Sequence, residues 1–149
     1  MLLEYETSLA YELLVEKCSY SKAKLLLVSL YEDTKKHANI MKSVCQSLGQ
    51  IYPPPMTRCE VEMGHAYTES LSHIRSIRNE LQHGMSLSEA LQSILKDEKA
   101  IGEEYVTLLH LRVKLIEEED TALRRTLADI ALDEEKHQEL LKLAIATLS

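Results

Sequence analysis

The sequence predicts an all-α fold, four long helices packed as a bundle, on three observations. Gly (4) and Pro (3) are scarce among the 149 residues, which excludes a turn-rich β sandwich or a Gly-looped nucleotide fold. The composition is rich in Leu, Ala, Glu and Lys, the strong helix formers. Two long segments carry apolar residues at alternating spacings of four and three, the seam of a helix bundle. Apolar residues make up 45% of the chain, enough for one domain over residues 1–149 with a core of its own. With no Phe and no Trp, that core is built from Leu, Ile, Val, Ala and the seven Tyr.

The elements follow in order. The first helix spans Leu2 to about Cys18, and Ser19-Tyr20-Ser21 makes a polar turn. A long helix runs from about Ser21 to Leu48, where Gly49 stops it. Tyr52-Pro53-Pro54-Pro55 cannot be helical and forms a loop. A shorter, more polar helix is expected from about Tyr67 to His83, ended by Gly84. Ser86 with Glu89 three residues on is a capping box that opens the third long helix. Arg112 and Lys114 suit its end, and Glu117, Glu118, Glu119 and Asp120 suit the start of the fourth, which runs to about Leu148. The chain therefore reads as a hairpin (1–48), a long crossover with an extra short helix (49–86) and a second hairpin (87–149). Two antiparallel hairpins joined by one crossover is a known bundle topology.

Charge and cysteines narrow the function classes. A net charge of −7 argues against nucleic acid as a partner. No apolar run is long enough to span a membrane. Met1-Leu2-Leu3 is followed at once by Glu4 and Glu6, which is not a signal-peptide pattern. Cys18, Cys45 and Cys59 make no zinc pattern and cannot all pair, so they read as reduced thiols in a cytoplasmic chain.

The two seams repeat each other. Ala23, Leu27, Leu30, Thr34, His37, Met41, Val44 and Leu48 correspond to Leu123, Leu127, Ile130, Glu134, His137, Leu141, Ala144 and Leu148, each offset by 100 residues. Asp33/Asp133, Lys36/Lys136 and Lys42/Lys142 share the register, so the chain looks like a duplicated helical hairpin. Each seam turns polar at one place, Thr34 with His37 and Glu134 with His137, one helical turn apart. Unpaired, such groups cost several kcal/mol in a core, and a metal ion is one good compensation. The partner helices add carboxylates: Glu4 stands seven residues before Tyr11, and Glu98 seven before Tyr105, two turns on one face. If the hairpins turn near residues 20 and 117, Glu4 lies level with Thr34 and His37, and Glu98 level with Glu134 and His137.

These residues resemble the ferritin-like superfamily, particularly rubrerythrin-type di-iron carboxylate proteins. Glu134-Glu135-Lys136-His137 matches the family's Glu-x-x-His pair, and Glu98 to Tyr105 and Glu4 to Tyr11 resemble its Glu-x6-Tyr helices. The resemblance implies Glu4, His37, Glu98, Glu134 and His137 as metal ligands. It implies Asp133 as the group that orients His37, Asp33 as the group that orients His137, and Tyr11 and Tyr105 beside the ligands. The chain departs from the family at Thr34, which stands where a Glu is expected. That leaves three carboxylates for two irons, so the site is di-iron, mononuclear, completed by an exogenous anion, or degenerate. No Cys-x-x-Cys pair is present, so a rubredoxin-like iron module is not expected and electrons would come from an external donor.

The function implied is iron binding, or binding of another divalent metal, with peroxide reduction or ferrous oxidation as the reaction. The rival reading is a metal-free or degenerate bundle that acts as a structural or interaction protein, its polar core fixing helix register. A ferritin-like storage subunit is a third. A homodimer is the expected assembly. His65, His73, His83 and His110 share no ligand spacing and read as solvated or capping groups, and Arg75 with Arg78 as a small basic patch.

Overall fold

The structure is a computed structural model, and it describes residues 2–47, 65–97 and 121–148. These residues form five helices and no strand. They are α1 (Leu2–Lys17), α2 (Ser21–Ser47), α3 (His65–Gln82), α4 (described over 87–97) and α5 (Thr121–Leu148). Gly49, the Pro53–Pro55 loop, Cys59, Glu98, Tyr105, His110, Arg112, Lys114 and the run Glu117–Asp120 lie outside the described residues. No described helix is long and apolar enough to cross a membrane.

The seams predicted from spacing face the interior. On α2, Ala23, Leu27, Leu30, Thr34, His37 and Met41 are buried, and on α5 so are Ile130, His137, Leu141 and Ala144. α1 packs on both α2 and α3, and α2 packs on α5. Because α1 lies between two helices it buries more than one stripe: Leu3, Ala10, Tyr11 and Leu14, and also Glu4, Glu6 and Ser8. The helix expected inside the crossover is α3, 18 residues long. It joins the main core through Leu71, Ile74, Ile77 and Leu81, next to Ala90, Leu91 and Ile94 of α4.

Local chemistry sets the element ends. α3 stops where Gly84 takes φ +112°, a conformation that favours glycine. The Met85 N–H then reaches back to the Glu80 carbonyl at 2.9 Å, the long bond of a Schellman cap. The His83 ring lies 2.8 Å from the Asn79 carbonyl, so this histidine is a capping group. The capping box before α4 is formed: Ser86 N–H donates to the Glu89 carboxylate at 3.0 Å, and Glu89 N–H donates to Ser86 Oγ at 3.2 Å.

Polar clamps fix α3 against its neighbours. Glu6 on α1 is buried and holds Arg75 at 2.8 Å and Arg78 at 2.7 Å. These two arginines are therefore not the free basic patch expected from sequence, because a buried carboxylate needs them. The Tyr67 hydroxyl accepts the Leu3 N–H at 3.2 Å, which satisfies one of the otherwise unpaired donors at the start of α1.

Candidate metal centre

Four of the residues predicted to form the site converge where α1, α2 and α5 meet. The buried seams of α2 and α5 place His37 and His137 face to face, ring centroids 5.6 Å apart. The two helices run antiparallel there, since His37 meets Asp133 while His137 meets Asp33. Glu134 lies between the imidazoles, its carboxylate 3.4 Å from His37 Nδ1 and 3.6 Å from His137 Nδ1. From α1, Glu4 completes a group with His37 and Glu134 in which one ligand atom from each lies within 4.8 Å of the others. Glu4 and His37 are buried and Glu134 nearly so, at 17% side-chain exposure.

The aspartates stand behind the histidines. Asp133 is 3.3 Å from His37 Nε2, and Asp33 is 3.9 Å from His137 Nε2. Lys36 and Lys136 also bind Asp133, at 3.3 and 2.7 Å. Burial pushes the Asp133 carboxyl up, but Lys136, His37 and Lys36 outweigh it and hold the group well below the usual carboxylate range. An ionised carboxylate only accepts, so His37 Nε2 donates to Asp133, and a neutral His37 then offers its Nδ1 lone pair on the side of Glu134. The lysines were visible in the sequence as Asp-x-x-Lys in both copies, but their role was not. The signal was that repeat one turn from each histidine.

The interior of the group is electrostatically incomplete. Among the described residues, Thr34 Oγ1, His37 Nδ1 and Glu134 Oε1 are buried with no hydrogen-bond partner. A lone pair on His37 Nδ1 facing a carboxylate oxygen at 3.4 Å repels it unless a proton or a metal cation lies between. The titration of the groups shows the same strain. Burial, and then the nearby Glu134, push the Glu4 carboxyl up to about 7. Burial pushes Glu134 up too, but His137 and His37 outweigh it and hold it well below the usual range. Burial disfavours charge on His37, yet Glu134, Glu4 and Asp133 together raise it. Two carboxylates pushed apart, beside an imidazole pulled toward its charged form, is a cluster that either a proton or a metal ion completes. The donor set of carboxylate oxygen and imidazole nitrogen suits iron, zinc or manganese, and the orphaned atoms fit such an ion.

Of the other predicted residues, Tyr11 is fully buried on α1, Thr34 is 2% exposed one turn before His37, and Glu98 and Tyr105 lie outside the described residues. Sequence reasoning missed a second polar chain, in which Ser93 Oγ lies 3.2 Å from His73 Nε2 and His73 Nδ1 pairs with Asp97. Its order is that of a nucleophile, base and acid. Ser93 sits inside α4, however, where amide N–H groups bond to carbonyls along the helix and cannot stabilise an oxyanion. These three residues act as a latch between α3 and α4. In comparisons with protein-family models, with curated proteins and with solved structures, no match to this chain was found.

Proposed function

We propose that this chain is a ferritin-like, rubrerythrin-like four-helix bundle that holds iron in its carboxylate/histidine core. One observation carries the reading: Glu4, His37 and Glu134, from three helices, bring ligand atoms within 4.8 Å while His37 Nδ1 and Glu134 Oε1 stay buried without hydrogen-bond partners. Glu4, His37 and Glu134 would bind the ion, with His137 beside them, and Glu98 belongs to the proposed set from sequence. Bound ferrous iron supplies the electrons for peroxide reduction or for its own oxidation by dioxygen.

The chain's own groups do the rest. Asp133 holds His37 in the tautomer that offers Nδ1, and Lys36 and Lys136 keep Asp133 ionised. Glu4, raised by burial to about 7, would release its proton as its carboxylate takes the ion. Tyr11, Leu27 and Leu30, fully buried on the same helices two or more turns from the ligands, keep water out of the adjoining core. The external electron donor and the homodimer remain part of the proposal, the latter supported by the exposed Leu25, Leu132 and Leu143.

The test is anaerobic loading of metal-free protein with ferrous iron, with bound metal measured per chain. His37→Ala is expected to weaken binding by about a hundredfold or more, as loss of a ligand does. A well-folded protein that binds no metal would remove the proposal. It would leave the second reading, a structural or interaction bundle, which the raised His37 favours: a protonated imidazole also neutralises Glu134 and fixes the register of α2 against α5.

A further inference from the structure

Position 34 breaks the internal symmetry of the core. Thr34 stands to His37 as Glu134 stands to His137, one turn earlier on the same face of the equivalent helix. The repeat therefore places a hydroxyl where its partner helix places a carboxylate. That hydroxyl is 2% exposed and has no hydrogen-bond partner among the described residues, one turn before His37 on the same helix. A buried hydroxyl left unpaired costs about 1–3 kcal/mol, so an occupant that accepts its proton is favoured. Threonine is also shorter than glutamate by the carboxylate and most of its stem, so the groups absent at 34 amount to a formate-sized carboxylate.

Among the described residues, Glu4 and Glu134 are the carboxylates of the group, and their two charges balance one divalent cation. Asp133 is already committed to Lys36, Lys136 and His37. Any further positive charge at the centre needs further negative charge, from Glu98 of the set proposed from sequence or from a bound anion. The three clustered ligands by themselves leave an ion of this class short of its usual shell of about four to six.

We infer that the metal centre completes its ligand shell with a small external carboxylate, held by the Thr34 hydroxyl in the place that Glu134 fills on the opposite helix. This rests on the reading of the cluster as a metal centre. The hydroxyl donates to one carboxylate oxygen and the other oxygen binds the ion.

The experiment loads metal-free protein with cobalt(II), whose visible spectrum reports its ligands, and then titrates formate. A saturable change in the cobalt spectrum is expected on adding formate. Thr34→Val keeps the shape and removes the hydroxyl; it should retain cobalt and bind formate about tenfold more weakly, the loss of one charge-assisted hydrogen bond. Thr34→Glu restores a carboxylate within the chain, and its spectrum should no longer respond to formate. A wild-type spectrum indifferent to formate overturns the inference and leaves the metal reading standing. Formate binding unchanged by Thr34→Val overturns the role of the hydroxyl. No cobalt binding at all removes both.

Discussion

Glu4 and Asp133 show how single residues at the centre respond to pH in opposite senses. Below about pH 4.5 Glu4 is protonated in both the folded and the unfolded chain. Between 4.5 and about 7 the folded chain keeps a proton that the unfolded chain has released, so rising pH favours unfolding. The loss is on the order of 3 kcal/mol and is complete above pH 7. His37 adds to the decline, because its raised value makes its contribution full below 6.5 and lost as pH rises through the folded value. Asp133 works the other way: its contribution is full above 3.8 and is lost as pH falls toward its depressed value. Metal-free protein should therefore be most stable near pH 4–5. Urea unfolding between pH 4.5 and 7 checks this, and Glu4→Gln should flatten the Glu4 part of the slope. The same proton competes with metal, so metal affinity should climb by up to about tenfold per pH unit until pH 7. Titrations at pH 6 and 7 measure that step.

Individual helices depend on clamps of unequal cost. Glu6 is buried on α1, whereas Arg75 and Arg78 on α3 are 42% and 32% exposed. Removing the arginines strands a buried carboxylate, and removing the carboxylate leaves two arginines that can reach water. The double variant Arg75→Ala/Arg78→Ala should thus lose about 3 kcal/mol, more than Glu6→Gln loses. A reversal of that order in denaturant unfolding would mean that α3 is not anchored through Glu6. At the end of α3, a Cβ on Gly84 would meet nothing within 4 Å, so Gly84→Ala has no steric cost. Its cost is the φ of +112° alone, about 1 kcal/mol, and Gly84→Asn should lose less. Thermal unfolding of both variants compares them.

For the whole molecule, the centre lies at the level where α1, α2 and α5 converge, so an ion there ties together elements far apart in sequence. It binds the folded chain and not the unfolded one, and free metal at a hundred times its dissociation constant should add about 2.7 kcal/mol. Calorimetry with and without metal should show the melting temperature rising, and His37→Ala should abolish the rise. The gain should be largest near neutral pH, where the empty cluster is least stable.

The order of residues is enough to define the helices, their ends at Gly84 and Ser86, the two inward seams and the level at which Glu4 meets His37. These are periodic or local properties: helical spacing fixes the face on which a residue lies, and a cap depends on residues a few positions apart. The duplicated register also sets an aspartate four residues before each histidine, Asp33 before His37 and Asp133 before His137. The partners of the buried charges came from the packing of the helices. The burial of Glu6 follows from α1 lying between α2 and α3, and nothing in its neighbours Tyr5 and Thr7 signals that. Arg75 and Arg78 look like solvated charges until Glu6 is brought to them across about 70 residues of chain. Pairing energies depend on distance through space and on exclusion of water, and neither is written in the order of residues along one helix.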